Sequence, residues 1–203
     1  MKGLKLYIPV LAIVMLAQAA FWAPADSLAS EGAYTLDGVH SHVGFAVRHL
    51  GVSKIRGRFN KMEGLVVYNE KDISQSSVEV TIQAASIDTQ SEKRDADVAG
   101  EGFLNAEKYP EITFKSTKVK KKGDGLELTG DLTIHGVTKQ VTFPVTLAGP
   151  TEDPWGMTRL GVEGRLKIDR QEFGIKFDKA MDNGGLIVGN TVEIELSIEA
   201  VKK

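Results

Sequence analysis

Apolar and polar residues alternate with period two along most of the chain after residue 33. In Gly125–His135 the leucine and isoleucine positions, with Gly130 among them, alternate with charged and hydroxyl-bearing ones. Successive side chains of a β-strand point to opposite faces, so this pattern predicts a half-buried strand. The same alternation occurs in seven further stretches, which brings the prediction to eight strands: Tyr34–Val47, Ile55–Tyr68, Ser77–Ile87, Ile112–Val119, Gln140–Gly149, Leu160–Ile168 and Thr191–Val201.

The connections between these stretches indicate antiparallel pairing. Lys122–Gly125 and His135–Thr138 are short, contain glycine and suit tight hairpins. Two segments break the alternation: Ser91–Ala106, where we expect a short helix, and Gln171–Gly185, an irregular stretch that ends rich in glycine. No internal repeat or linker is visible, so we expect residues 30–203 to form one domain.

Eight strands that are apolar on one face have two common solutions, a two-sheet sandwich and a closed barrel. An eight-stranded antiparallel barrel is just wide enough to be filled by its own side chains or to hold one slender ligand. An outer-membrane barrel would need two girdles of Trp and Tyr, for which residues 30–203 contain too few of either. The inward face of the strands is therefore where a function is expected.

Residues 1–29 differ in character from the rest of the chain. Two lysines precede an uncharged apolar run over residues 6–25, and small residues suited to a signal peptidase follow. This predicts a secretory signal, with cleavage after Ala29 favoured over cleavage after Ala25. An uncleaved membrane anchor is the weaker alternative, because two prolines and a glutamine interrupt the run.

Charge and cysteine content narrow the class of protein further. The formal charge of the chain is −2, and loss of Lys2, Lys5 and Asp26 with the signal changes it to −3, so we expect no nucleic-acid partner. The chain has no cysteine. Export therefore brings no disulfide framework, and stability has to come from the core.

The stretch VHSHVGFAVRHLG, residues 39–51, contains three histidines within ten positions. Alternation places His40 and His42 on the outward face and His49 at the inward end of the strand, so the three imidazoles cannot converge on one ion. A zinc site needs three or four ligands. We therefore expect no metal site, and a metal-binding protein that uses His40 and His42 is a minor alternative. The inward positions of this stretch are Val39, Ser41, Val43, Phe45 and Val47.

Motifs for catalysis are missing from the sequence. There is no nucleophile elbow, no phosphate-binding glycine loop and no motif with paired carboxylates. We expect the adjacent Arg94 and Asp95 to form a local ion pair at a helix start, and the lysine run Lys118–Lys122 to be a solvated hairpin tip. The sequence therefore predicts a binding protein without a cofactor rather than an enzyme.

Several blocks of the sequence, in order, resemble the signature of the YceI-like family, and the resemblance covers residues 34 to about 200. These blocks are Leu36–Ser41, Val43–Val47, Gly57–Phe59, Arg94–Asp95, Phe103–Asn105, Tyr109–Phe114, Gly130–Thr138 and Asp169–Ile175.

The resemblance implies a periplasmic, lipocalin-like barrel of eight antiparallel strands with one or two short helices. It also implies a long isoprenoid chain, polyprenyl phosphate or quinone-like, bound in the interior, often in a homodimer, with transient membrane contact during exchange. The sequence departs from the family pattern at one place. The family usually has a His-Leu pair two residues after Arg94–Asp95, where this chain has Asp97 and Val98. An acid there disfavours an anionic head group nearby.

The candidate site residues follow from alternation and from charge at predicted strand ends. We expect the lipid-binding cavity to be lined by Phe45, Val47, Phe59, Val80, Ile82, Phe114, Leu132, Ile134, Phe143, Val145 and Phe173. We expect the rim that meets the head group to include Arg48, His49, Arg94, Arg170 and Lys176. The rival function is a β-sandwich interaction or adhesion module with a filled core.

Overall fold

The computed structural model describes residues 32–182 and 184–203, so the predicted signal lies outside the described residues. Within these ranges there is one α-helix, α1 (Glu92–Ala99), and there are short 3₁₀ turns at Ile73–Gln75, Ala84–Ser86 and Arg170–Phe173. The strands are β1 (Ala33–Leu36), β2 (His42–His49), β3 (Ser53–Phe59), β4 (Met62–Val67), β5 (Ser77–Gln83), β6 (Ile87–Asp88), β7 (Glu111–Lys122), β8 (Gly125–Ile134), β9 (Val137–Glu152), β10 (Thr158–Asp169) and β11 (Val188–Lys202).

These eleven segments form an antiparallel barrel of eight strands. The numbers differ because three of the eight strands are each interrupted once. β1 and β2 both pair with β11. β4 continues β3 beside them, and β5 and β6 form the next interrupted strand. β7 to β11 then pair in sequence order, and the β1–β11 pairing closes the ring. The predicted barrel is confirmed, and the sandwich alternative is wrong.

The first interruption corrects one detail of the predicted face. Residues 37–41 leave the strand, because the carboxylate of Asp37 accepts hydrogen bonds from the backbone N–H groups of Val39 (3.0 Å) and His40 (3.3 Å). A side chain that bonds its own backbone in this way competes with the strand ladder. Val39, predicted to point inward, is therefore 88% exposed, and regular alternation begins only at His42.

The alternation of β8 holds, with one unexpected burial on its outer face. Leu128, Leu132 and Ile134 are buried inside the barrel. Glu127 points outward but is buried beneath the ammonium groups of Lys120 and Lys122, which form ion pairs with it. These hydrogen bonds, that of Lys120 first, lower the pKa of Glu127 to about 2. Two lysines of the run predicted to be solvated, Lys120 and Lys122, therefore stabilise the β7–β8 hairpin.

The two ends of the barrel are built differently. One end is closed by a cluster of buried residues, Tyr34, Val66, Leu160 and Ala200. At the other end β6 pairs with β3, but β7 pairs with β5 and not with β6. The connection 89–110, which contains α1, lies between β6 and β7 at this end. The segment 170–187 lies at the same end. This end is therefore the mouth of the barrel, formed by connections rather than by paired strands.

Candidate functional site: the barrel cavity

The barrel encloses a cavity of about 830 Å³ that opens at the mouth. Ligand pockets commonly have volumes of roughly 300–1,000 Å³, so this is a large one for a domain of this size. Its wall consists mainly of Val, Leu, Ile and Phe side chains from β2 to β5 and β7 to β11. Such a wall suits an apolar chain and offers few partners to polar groups inside.

The structure places all eleven residues of the predicted cavity on this wall: Phe45, Val47, Phe59, Val80, Ile82, Phe114, Leu132, Ile134, Phe143, Val145 and Phe173. Their contact with a lipid stays a prediction. The wall also includes inward residues of β10 and β11 that share the alternation and are not among the predicted cavity residues: Val162, Leu166, Ile168, Val192, Ile194, Leu196 and Ile198.

Aromatic rings shape the interior at two levels. Phe45 and Phe59 have ring centroids 5.9 Å apart, and Phe114 and Phe143 meet edge to face at 5.7 Å. Aromatic pairs prefer such tilted and edge-on arrangements, which fix the orientation of both rings. The ring of Phe45 occupies the space above Gly57, where a Cβ atom would lie 2.5 Å from its Cζ atom. The cavity wall is therefore preformed.

The mouth contains aromatic and basic residues that the sequence did not predict to be part of the site. Phe103 and Phe177 stack with centroids 4.7 Å apart, and the Nζ atom of Lys179 lies 5.8 Å from the centroid of Phe177. All three residues line the cavity. They belong to irregular segments without periodicity, so the only available signal was their aromatic or basic character in a long connection.

Four of the five predicted rim residues line the cavity: Arg48, His49, Arg94 and Arg170. The guanidinium of Arg94 donates to the hydroxyl of Thr89 at 2.8 Å and to its carbonyl at 2.7 Å. Asp95 accepts from the backbone N–H and hydroxyl of the same threonine. Arg94 and Asp95 thus both hold buried Thr89 rather than form the expected ion pair with each other.

Arg170 and Lys176 do not act as free cations at the mouth. Arg170 is 3% exposed and also borders the cavity, but its N–H groups donate to the carbonyls of Ile175, Phe177, Val188 and Gly189 and to the side chain of Asn190. Burial lowers the pKa of Arg170 from its ordinary value, yet the group stays charged. Arg170 therefore cross-links the segment 170–190. Lys176 is exposed and lies outside the cavity wall.

Acidic groups line the α1 side of the mouth. Asp97 and Glu101 border the cavity, and both are exposed. They face an opening whose cations are partly committed elsewhere, because Arg94 and Arg170 already bind oxygen atoms of the protein. The mouth thus combines both signs of charge and does not form a concentrated anion-binding site.

The one group of potential metal ligands found among the described residues lies outside the cavity. Ligand atoms of Asp37, His40 and Glu199 lie within 4.8 Å of one another. Arg159 already bridges this group, donating to Asp37 at 3.2 Å and also to Glu199. His42 is not part of it, contrary to the minor metal alternative, which paired His40 with His42. The guanidinium supplies the positive charge that the two carboxylates require.

The sequence of the chain matches the YceI-like domain model over residues 34–200. The chain belongs to the YceI-like family. Protein YceI of Escherichia coli O17:K52:H18 is 41% identical over 167 residues, which are 82% of this chain and 84% of the relative. The resemblance seen in the sequence is confirmed. Among the described residues of this family member, no helix has both the length and the apolar character needed to cross a bilayer.

Solved structures show the same barrel. The crystal structure of BcnA from Burkholderia cenocepacia superposes with a TM-score of 0.71 at 28% identity, covering 81% of this chain and 98% of BcnA. A polyisoprenoid-binding domain from Saccharophagus degradans, implicated in plant cell wall breakdown, gives a TM-score of 0.62 at 14% identity over 84% of this chain and 98% of that domain. This chain therefore shares its barrel with both solved structures.

Proposed function

We propose that this YceI-like protein binds and carries a long isoprenoid lipid in the barrel cavity, in the periplasm, after removal of its signal. The observation that carries the proposal is the cavity of about 830 Å³ with its almost wholly apolar wall. An apolar chain that replaces water along this wall gains roughly 25 cal/mol for each Å² of apolar surface withdrawn from water, so the cavity favours an apolar ligand.

An extended hydrocarbon chain fits this interior better than a compact ligand does. The cavity runs from the mouth toward the closed end, where Val66 and Val78 line it. Each CH₂ group withdrawn from water contributes about 0.8 kcal/mol, so a long chain lying along this wall gains affinity with every carbon it buries. The solved polyisoprenoid-binding domain with the same fold supports this assignment.

The charges at the mouth favour an uncharged head group, such as a quinone, over a phosphate. Asp97 and Glu101 would repel an anion, while Arg94 and Arg170 already use their N–H groups within the protein. A quinone needs only a few hydrogen-bond donors, which Arg48 and His49 can supply. We propose no catalytic role and no cofactor. A homodimer and transient membrane contact during exchange are further parts of the proposal.

A test of the proposal narrows the cavity without adding charge. Val162 and Ile194 lie on the wall, on the paired strands β10 and β11, where Val162 is opposite Ile198 and Ile194 is opposite Leu166. The double variant Val162→Trp with Ile194→Trp should fold and lose most of its bound isoprenoid, measured by organic extraction and mass spectrometry of protein purified without detergent. The matched control is Glu163→Trp, which adds the same side chain on the outer face of β10. Equal isoprenoid content in the wild type, the double variant and the control would overturn the proposal.

A further inference from the structure

Exposed aliphatic side chains lie at the mouth, on two adjoining hairpins. Val52 is 80% exposed and Leu50 38% exposed on the β2–β3 turn. Leu186, 36% exposed, pairs with Ala180 in a second, small hairpin. The backbone N–H of Leu50 donates to the carbonyl of Ile187 at 2.9 Å and joins the two hairpins. We refer to Leu50, Val52 and Leu186 as the mouth tip.

The β2–β3 turn holds a leucine in a conformation that leucine disfavours. Leu50 has φ +51° and Gly51 φ +72°, so both central residues of the turn are left-handed. Such turns normally take Asn, Asp or Gly, because a larger side chain is crowded there. A Cβ atom at Gly51 would meet nothing within 4 Å, so the turn projects into open space. An exposed, unfavourably held aliphatic side chain at a cavity mouth points to a function for the side chain itself.

Two basic residues lie at the base of the β2–β3 turn. Arg48 and Lys54 lie directly opposite each other in the strand register, an arrangement that like charges normally avoid. Lys54 pairs with Glu193 at 2.5 Å, whereas Arg48 makes no ion pair within the residues that the structure describes. Asp178 and Asp182 lie on either side of Ala180 in the second hairpin. The cations therefore favour an anionic surface at the first hairpin.

We propose that the mouth tip inserts into the surface of an anionic phospholipid bilayer and holds the cavity mouth against the lipid during loading and release. Projecting aliphatic residues beside basic ones are what interfacial membrane attachment requires. A surface that binds a protein partner is usually flatter and richer in aromatic residues than the mouth tip. This inference rests on the proposed function, because the tip matters only if the cargo has to leave a bilayer.

The test replaces the tip with residues that suit the turn. Leu50→Asn places a favoured residue at the left-handed position, and Val52→Thr keeps a β-branched side chain, so the double variant should fold. The matched control is Trp155→Ser, which removes a side chain 79% exposed on the β9–β10 connection, at the closed end of the barrel. Vesicles of phosphatidylethanolamine with phosphatidylglycerol, containing a long-chain ubiquinone as probe, supply the membrane.

Two measurements separate the inference from the proposed function. The first is the rate at which the protein extracts ubiquinone from the vesicles, together with its co-flotation with them. The second is binding of the same ubiquinone delivered from detergent micelles, which requires the cavity but no bilayer. We expect the tip variant to extract about tenfold more slowly or worse, since each aliphatic side chain buried in lipid contributes about that factor. Its binding from micelles should match that of the wild type and of Trp155→Ser.

Each alternative result has a definite meaning. Extraction by the tip variant at the wild-type rate overturns the inference and leaves the proposed function intact. A wild-type protein that binds ubiquinone from micelles but never floats with vesicles also overturns it and assigns the tip to a protein partner. If the wild type binds no ubiquinone from micelles, the proposed function fails for this probe, and flotation alone decides whether the tip attaches to bilayers.

Discussion

The ring of Phe114 lies against the backbone of Gly130 on the neighbouring strand, where a Cβ atom would come within 2.5 Å of its Cζ atom and of the carbonyl oxygen of Lys115. Gly130→Ala should therefore force the ring and strand apart and lower the free energy of unfolding by about 1–3 kcal/mol, measured by urea denaturation. The control is Gly102→Ala, whose Cβ atom meets nothing within 4 Å. Equal stability of both variants would contradict the packing described here.

The stacked pair Phe103 and Phe177 should slow the release of bound lipid at the mouth. Aromatic pairs of this kind contribute about 0.5–1.5 kcal/mol, so Phe177→Ala should speed release by up to about tenfold. The measurement is transfer of ubiquinone from loaded protein to an excess of vesicles. Glu107→Ala, an exposed change on the connection 89–110, serves as control. An unchanged release rate would show that the stack does not restrict the mouth.

Arg170 should stabilise the fold rather than select a head group. Arg170→Met keeps the length of the side chain but leaves several buried carbonyls without donors, for a loss of roughly 3–5 kcal/mol in the free energy of unfolding. Lys176→Met, on the exposed side of the same segment, should change it by no more than about 0.5 kcal/mol. If Arg170→Met unfolds like the wild type but loses its preference among head groups, the structural role assigned to Arg170 is wrong.

The pair of Asp37 and His40 should make part of the stability depend on pH. Their hydrogen bond, 2.9 Å long, is the main cause that lowers the pKa of Asp37 from 3.8 to about 2 and raises that of His40 above 6.5. The Asp37 contribution is present above pH 3.8 and is lost as the pH falls toward 2. The His40 contribution is present below pH 6.5 and is lost as the pH rises through its raised pKa.

Asp37→Asn should therefore be destabilised most between about pH 4 and 6, and the difference from the wild type should shrink at lower pH. The measurement is the melting temperature of both proteins from about pH 6 down to about pH 2. Asp124→Asn, on an exposed hairpin turn, is the control. A difference that stays constant down to pH 2 would contradict the assigned ionisation of Asp37.

The barrel was predictable from the sequence because strand alternation is a local property. Each inward face could be identified from its own stretch, and the predicted cavity residues that belong to strands lie where alternation puts them. The interruptions were not predictable in the same way. The break at residues 37–41 depends on Asp37 bonding its own backbone, and alternation alone extends the strand through Val39.

The mouth was harder to predict, because its side chains are placed by partners far away in the sequence or in irregular segments. Arg170 finds its acceptors up to 20 residues later, so its charge suggested a free rim cation where the structure has a buried cross-link. Lys179 and the stack of Phe103 on Phe177 lie in connections without any period. Charge at a predicted strand end is therefore a poor guide to what a side chain binds.

The most direct test of the central claim is the mass of the intact protein. Full-length protein expressed with its own signal and purified without detergent is weighed under native and denaturing conditions, and any released molecule is identified after organic extraction. We predict a native mass that exceeds the polypeptide mass by one long isoprenoid lipid with an uncharged head group. A native mass equal to that of the polypeptide alone would contradict the claim that the cavity binds lipid.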